Sequence, residues 1–70
     1  MSTSELRDLS TDELISRRRD AREELMNLRF QQATGELTDF TRLRYTRRTI
    51  ARLLTVLNER EQLARMEGEL

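Results

Sequence analysis

The 70-residue sequence has no lysine, histidine, cysteine, tryptophan or proline, and only two glycines and three aromatic residues. Each absence excludes something. Without cysteine there is no disulfide framework and no thiolate metal site. Without histidine the commonest general base and the commonest imidazole ligand are gone. Without proline, and with Gly35 the one glycine before Gly68, little interrupts a helix. The longest apolar-rich run, residues 50–57, is eight residues long and is broken by Arg52. A membrane span needs about 20. The opening Met1-Ser-Thr-Ser-Glu-Leu-Arg-Asp lacks the basic and apolar regions of a signal peptide. The expected location is therefore the cytoplasm, with no membrane partner.

What is present is leucine, arginine and carboxylate. Thirteen arginines balance thirteen acids, so the formal net charge is zero. Nucleic-acid-binding domains are usually basic, and a zero sum argues against that role at first sight. Summing by segment changes the picture. Residues 1–16 carry one arginine and four acids, for −3. Residues 17–58 carry ten arginines and five acids, for +5, and residues 59–70 carry two and four, for −2. The middle of the chain is basic.

The expected fold is all-α: a long antiparallel two-helix hairpin with a short N-terminal helix, a single domain over residues 1–70. The short helix is expected over 3–9, the long helices over 11–33 and 39–63, and a frayed acidic tail over 64–70. Ser10 followed by Glu13 is a capping box, and Leu9 with Leu14 supplies its hydrophobic staple. Asp12 and Glu13 suit the positive end of the helix dipole. Ala33-Thr34-Gly35 offers a glycine for a left-handed C-terminal cap. Thr38 or Asp39 can cap the third helix. A five-residue connection folds two long helices back on each other. Rods of about 23–25 residues run roughly 35 Å. Each buries one stripe, so the core is thin.

Placed at about 100° per residue, Leu14, Ala21, Leu25 and Leu28 form the packing stripe of the second helix. Leu43, Ile50, Leu53, Leu54 and Leu57 form that of the third. Arg18, Arg22 and Arg29 line one side of the second-helix stripe, and Asp12, Glu13, Asp20, Glu23 and Glu24 fall on the far side. Arg44, Arg47, Arg48 and Arg52 lie opposite the third-helix stripe. Between Phe40 and Asn58 there are five arginines and no carboxylate.

Two readings fit each basic feature. Arg17-Arg18-Arg19 reads as a solvated face, with Glu13 and Arg17 a favourable i,i+4 pair worth about 0.2–0.5 kcal/mol. The third helix is harder to read that way. Arg44–Arg48 and Arg48–Arg52 are like-charge i,i+4 pairs, each unfavourable by a similar amount. A polyanion site explains them, and a solvated face is the alternative. Arginine's planar fork suits phosphate oxygens and stacks on bases. Phe30 and Tyr45 can add stacking, whereas Phe30 and Phe40 also suit core or hairpin-end packing. Gln31 and Gln32 can meet base edges or simply solvent. No glycine-rich phosphate loop and no nucleophile–base pair is present, so no enzyme activity and no cofactor is expected. A membrane-surface helix is disfavoured because the third helix needs its apolar stripe for the hairpin.

Two stretches are more specific than composition. Asn27-Leu-Arg-Phe-Gln-Gln-Ala-Thr-Gly-Glu-Leu37 precedes Thr41-Arg-Leu-Arg-Tyr-Thr-Arg-Arg-Thr-Ile-Ala-Arg-Leu-Leu-Thr-Val-Leu-Asn-Glu-Arg60. Together they closely resemble bacterial large-subunit ribosomal protein L-twenty-nine, and Glu5-Leu-Arg-Asp-Leu-Ser-Thr-Asp-Glu-Leu14 resembles that family's start. The resemblance covers about Glu5 to Glu61. It implies a helical hairpin bound to large-subunit ribosomal RNA near the nascent-chain tunnel exit. It also implies a neighbour, ribosomal protein L-twenty-three, and chaperone or targeting factors that dock at that rim. By matching positions it implies RNA contact at Arg29, Gln32, Arg47, Arg48, Arg52 and Thr55, and turn geometry at Gly35. Charge placement adds Arg42 and Arg44. The chain departs from the family in being lysine-free and neutral. An alternative is a homodimeric helical hairpin, two copies completing the thin core for protein interaction or RNA binding.

Overall fold

The computed structural model describes residues 2–69. Helix α1 spans Thr3–Arg7, α2 spans Thr11–Thr34 and α3 spans Thr41–Glu69, and there is no strand among the described residues. α2 and α3 form the antiparallel hairpin, and α1 lies against α3. The result is a rod of 53 × 19 × 15 Å with a radius of gyration of 15.0 Å. A compact chain of this length has about 11 Å.

Local chemistry sets the boundaries. The Ser10 hydroxyl accepts from the Glu13 N–H at 3.2 Å, and Leu9 packs on the core beside it. α1 ends at Arg7 rather than residue 9, because the chain must turn at Asp8 and Leu9 to reach the Ser10 cap. α2 ends at Gly35, whose φ of 78° is left-handed, a conformation that costs any residue with a Cβ. The Gln31 carbonyl accepts from Glu36 and Leu37, closing the turn. α3 begins two residues later than the sequence pattern suggests. The Phe40 carbonyl accepts its first helical bond, from Arg44, while the Asp39 carboxylate accepts from the Thr41 N–H at 2.9 Å. That bond holds the Asp39 carboxyl below the usual range.

α3 continues past the expected helix end at residue 63 through Glu69, and Leu70, the last residue of the expected frayed tail, lies outside the described residues. The segment is rich in helix formers, and Arg65 pairs with Glu61 one turn back at 2.8 Å. Residues 61–68 are exposed on every side, Leu63 and Met66 included. This part of α3 is held by helix propensity rather than packing.

The core is one seam. Leu14 and Leu53 are completely buried, with Leu6, Ala21 and Val56 around them and Leu28 and Leu43 nearer the turn. Leu25, Ile50, Leu54 and Leu57 are half-buried. Two buried residues break the leucine pattern. Thr46 is 1% exposed, and its hydroxyl donates to the Arg42 carbonyl at 2.9 Å, which satisfies it inside the seam. Val56 sits beside the stripe and is buried in the cluster that contains Leu6 of α1. Phe30, 67% exposed, and Phe40 are not core residues.

α1 is fastened by α3 side chains. Arg7 pairs with Glu59 at 3.0 Å, and this contact raises the Arg7 pKa further. Arg60 donates to the carbonyls of Arg7 and Leu9 and to the Thr11 hydroxyl. One guanidinium thus answers the orphan carbonyls at the end of α1 and reaches the start of α2.

Candidate nucleic-acid interface

In two antiparallel right-handed helices, residues rotated in the same sense from the contact seam lie on the same broad face of the pair. Arg22, Arg29 and Arg47 each directly follow a buried residue: Ala21, Leu28 and Thr46. Each is therefore turned about 100° from the seam in one sense. Arg18 is one turn after buried Leu14 and leans the same way. These four share a face. The opposite sense has its own marker. Glu24 and Arg42 stand one turn before buried Leu28 and Thr46, and their side chains form an ion pair across the hairpin. Arg42 also lies over the Tyr45 ring at 5.2 Å. α1 covers this second face toward the open end, where Val56 meets it.

The two faces differ in how their charges are satisfied. On the first, Arg18, Arg22, Arg29 and Arg47 make no ion pair or side-chain hydrogen bond among the described residues. Arg44 and Arg48 are in the same condition, and they carry the basic surface around the outer edge of α3. Six arginines therefore lack an internal acid; five of them are exposed and Arg18 is half-buried. At 1.5 Å per residue, Arg18 to Arg29 runs about 16 Å along α2. On the second face, Arg42 and Arg7 are paired and Arg60 is bonded to backbone.

The expected contact residues separate accordingly. Arg29, Arg44, Arg47 and Arg48 come together on the basic surface, and Arg52 is exposed further along the outer edge of α3. Arg42 does not join them. Its partner, Glu24, is half-buried beside the seam rather than on the far side of α2. Gln32 is exposed at the turn, where its carbonyl accepts from Gly35. Thr55 is exposed, but its hydroxyl donates to the Ala51 carbonyl at 2.9 Å. Gly35 caps α2. Arg18 and Arg22, absent from the expected contacts, belong to the surface. The signal for them was their place directly after, or one turn after, a seam residue.

No group of three or more His, Cys, Asp or Glu that could hold a metal exists among the described residues. No helix among them is long and apolar enough to cross a membrane. A rod with one arginine-lined side can meet the acceptor oxygens of a polyanion. Comparison with known proteins gives the rod its family. The Ribosomal L29 protein family matches residues 4–60. The large ribosomal subunit protein uL29 of Mycobacterium sp. (strain KMS) is 61% identical over 61 residues, covering 87% of this chain and 79% of the relative. The protein of the same name from Lactobacillus delbrueckii subsp. bulgaricus is 54% identical over 61 residues, covering 87% and 94%. That of Rhodococcus erythropolis is 59% identical over 58 residues, covering 83% and 74%. The chain belongs to the Ribosomal L29 protein family. It is a structural ribosomal protein and not an enzyme.

Proposed function

We propose that this protein is a structural constituent of the large ribosomal subunit that binds ribosomal RNA near the nascent-chain tunnel exit. Its neighbour there is ribosomal protein L-twenty-three, on the rim where chaperone and targeting factors dock. The observation that carries RNA binding is the set of six unpaired arginines on one side of a family member's hairpin. Phosphate is the ligand that answers such a set, because arginine offers donors in a fork and accepts nothing. The remaining contact residues are Arg52 on the α3 edge and Gln32 and Thr55 at its periphery. Zero net charge weakens long-range attraction, so affinity comes from fit of this face to an assembled site.

The mechanism is mechanical as much as electrostatic. The seam of Leu14, Ala21, Leu28, Leu43 and Leu53 holds two helices as one rod, and the rod fixes the spacing of the guanidiniums before RNA arrives. Side chains on pre-ordered helices lose less freedom on binding. The hairpin closes its seam within one chain, so the thin core does not by itself require a second copy.

Co-sedimentation with large ribosomal subunits tests the reading. The protein is expected to pellet with subunits at moderate salt and to leave them at high salt. Recovery entirely in the supernatant at moderate salt contradicts it.

A further inference from the structure

We infer that the stretch of α3 beyond the hairpin seats a basic amphipathic helix of another protein. α2 begins at Thr11, and Arg60 reaches the Thr11 hydroxyl. Past that level α3 has no α2 beside it, and it runs on through Glu69, about 13 Å further. The family match stops at residue 60, so this extension lies beyond it. An apolar line crosses the boundary. Val56 is buried in the cluster with Leu6 of α1. Leu63 stands two turns further on and Met66 three residues after that, all within an arc of about 80°. Leu63 is 58% exposed and Met66 63%, and with Glu59 and Gln62 they line a hollow in the surface. The line that α1 covers over its first part is thus bare over its last.

α1 shows what such a line accepts. It places Leu6 in one cluster with Leu53 and Val56 and pairs Arg7 with Glu59 at 3.0 Å. One apolar side chain meets the line, and one guanidinium meets an acid beside it. Leu63 and Met66 repeat the apolar half of that arrangement. Glu67, one turn after Leu63, repeats the acidic half, and it makes no ion pair among the described residues. The surroundings have the same sign. Residues 1–16 and 59–70, which meet at this open end of the hairpin, carry −5 in all. An end of that sign repels phosphate, in RNA or in a lipid headgroup, and repels its own copy in a closed pair. What complements it is positive charge beside apolar side chains, on a segment that can lie along a helix as α1 does.

The test uses the full chain and labelled peptides of about 18 residues at low salt, read by fluorescence anisotropy. One peptide is leucine and lysine in helical period, and the other has glutamate in place of lysine. The leucine–glutamate peptide is expected to bind about tenfold or more weakly than the leucine–lysine peptide. Leu63→Ser with Met66→Ser is expected to weaken the leucine–lysine peptide about tenfold, and Glu67→Arg about threefold. Met26→Ser with Phe30→Ser, which removes exposed apolar side chains from α2 instead, is expected to change it less than about twofold. Helix content by circular dichroism checks that each variant folds. Equal weakening by the α2 variant, or equal affinity for the two peptides, overturns the inference. So does a parent chain that sediments as a dimer while Leu63→Ser with Met66→Ser sediments as a monomer, because the occupant is then a second copy. Leu63 and Met66 stand off the arginine face, so RNA affinity of their variant is expected to match the parent's, and failure of peptide binding leaves the RNA-binding reading standing.

Discussion

The two broad faces of the hairpin use the same residue for opposite purposes. On one, Arg7 pairs with Glu59, Arg42 pairs with Glu24 and Arg60 is bonded to carbonyls of α1. On the other, Arg18, Arg22, Arg29 and Arg47 have no internal partner among the described residues. Arginine on the first face builds the protein. Arginine on the second has no internal acid to answer it. What separates the two is rotation about the seam: one residue after a buried position faces solvent without an internal partner, and one turn before it faces an acid or α1. A neutral chain can therefore present a one-sided field.

The largest effect that can blur this comparison is loss of the seam itself. Leu53→Ala and Leu14→Ala each remove a completely buried side chain. Each is expected to cost about 2–5 kcal/mol, comparable with the whole stability of a small domain. Thermal denaturation followed by circular dichroism checks it; a melting point within a few degrees of the parent contradicts the packing described.

Next comes the basic face. Arg22→Ala, Arg29→Ala and Arg47→Ala combined are expected to reduce RNA affinity steeply while leaving the melting point nearly unchanged. Unpaired exposed side chains contribute little to folding, typically within about 0.5 kcal/mol. Filter binding and melting on the same samples separate the two effects. Equal loss of affinity and stability would place these arginines in the fold instead.

A smaller effect belongs to the paired face. Arg60→Ala leaves the carbonyls at the end of α1 to water, at a cost of about 1 kcal/mol. Hydrogen exchange should show faster opening across residues 3–9 while the α2–α3 seam keeps its protection. Uniform loss of protection would mean that α1 is not a separable element.

The smallest effect is at the turn. The Asp39 carboxyl is held below its usual value by the Thr41 N–H. The group binds a proton less readily when folded, so its contribution is fully present above the unfolded value of about 3.9. It is lost as pH falls through the lowered folded value. Asp39→Asn removes the charge, and with it this part of the acid dependence. A pH–stability profile of the variant identical to the parent's at low pH contradicts the assignment.

Much of the fold was legible because local chemistry and periodicity agree. Ser10 and Glu13, the Gly35 cap, and the stripe through Leu14, Ala21, Leu28, Leu43 and Leu53 all act over a few residues. Three features were not legible, for separate reasons. Thr46 reads as polar, yet its hydroxyl is satisfied one turn back and its methyl-bearing body fills the seam. Val56 falls outside the two-helix stripe because α1 widens the buried surface there. Glu24 lies 18 residues from Arg42 in sequence, and their pairing depends on the register of the hairpin. The same register decides the basic face. The arginine line on α2 was visible in the periodicity, but its union with Arg47 needed the handedness of the pair and the Glu24–Arg42 contact that marks the opposite side.

On the proposed reading, the face on which an arginine stands, and not the number of arginines, sets RNA binding. Arg47→Ala and Arg42→Ala each remove one positive charge from the same helix, five residues apart. The most direct measurement is the dependence of RNA affinity on salt for these two variants beside the parent. Arg47→Ala is expected to lower the slope by about 0.7–0.9, and Arg42→Ala to leave it unchanged. Equal slopes for the two variants would mean that the two faces are equivalent toward RNA.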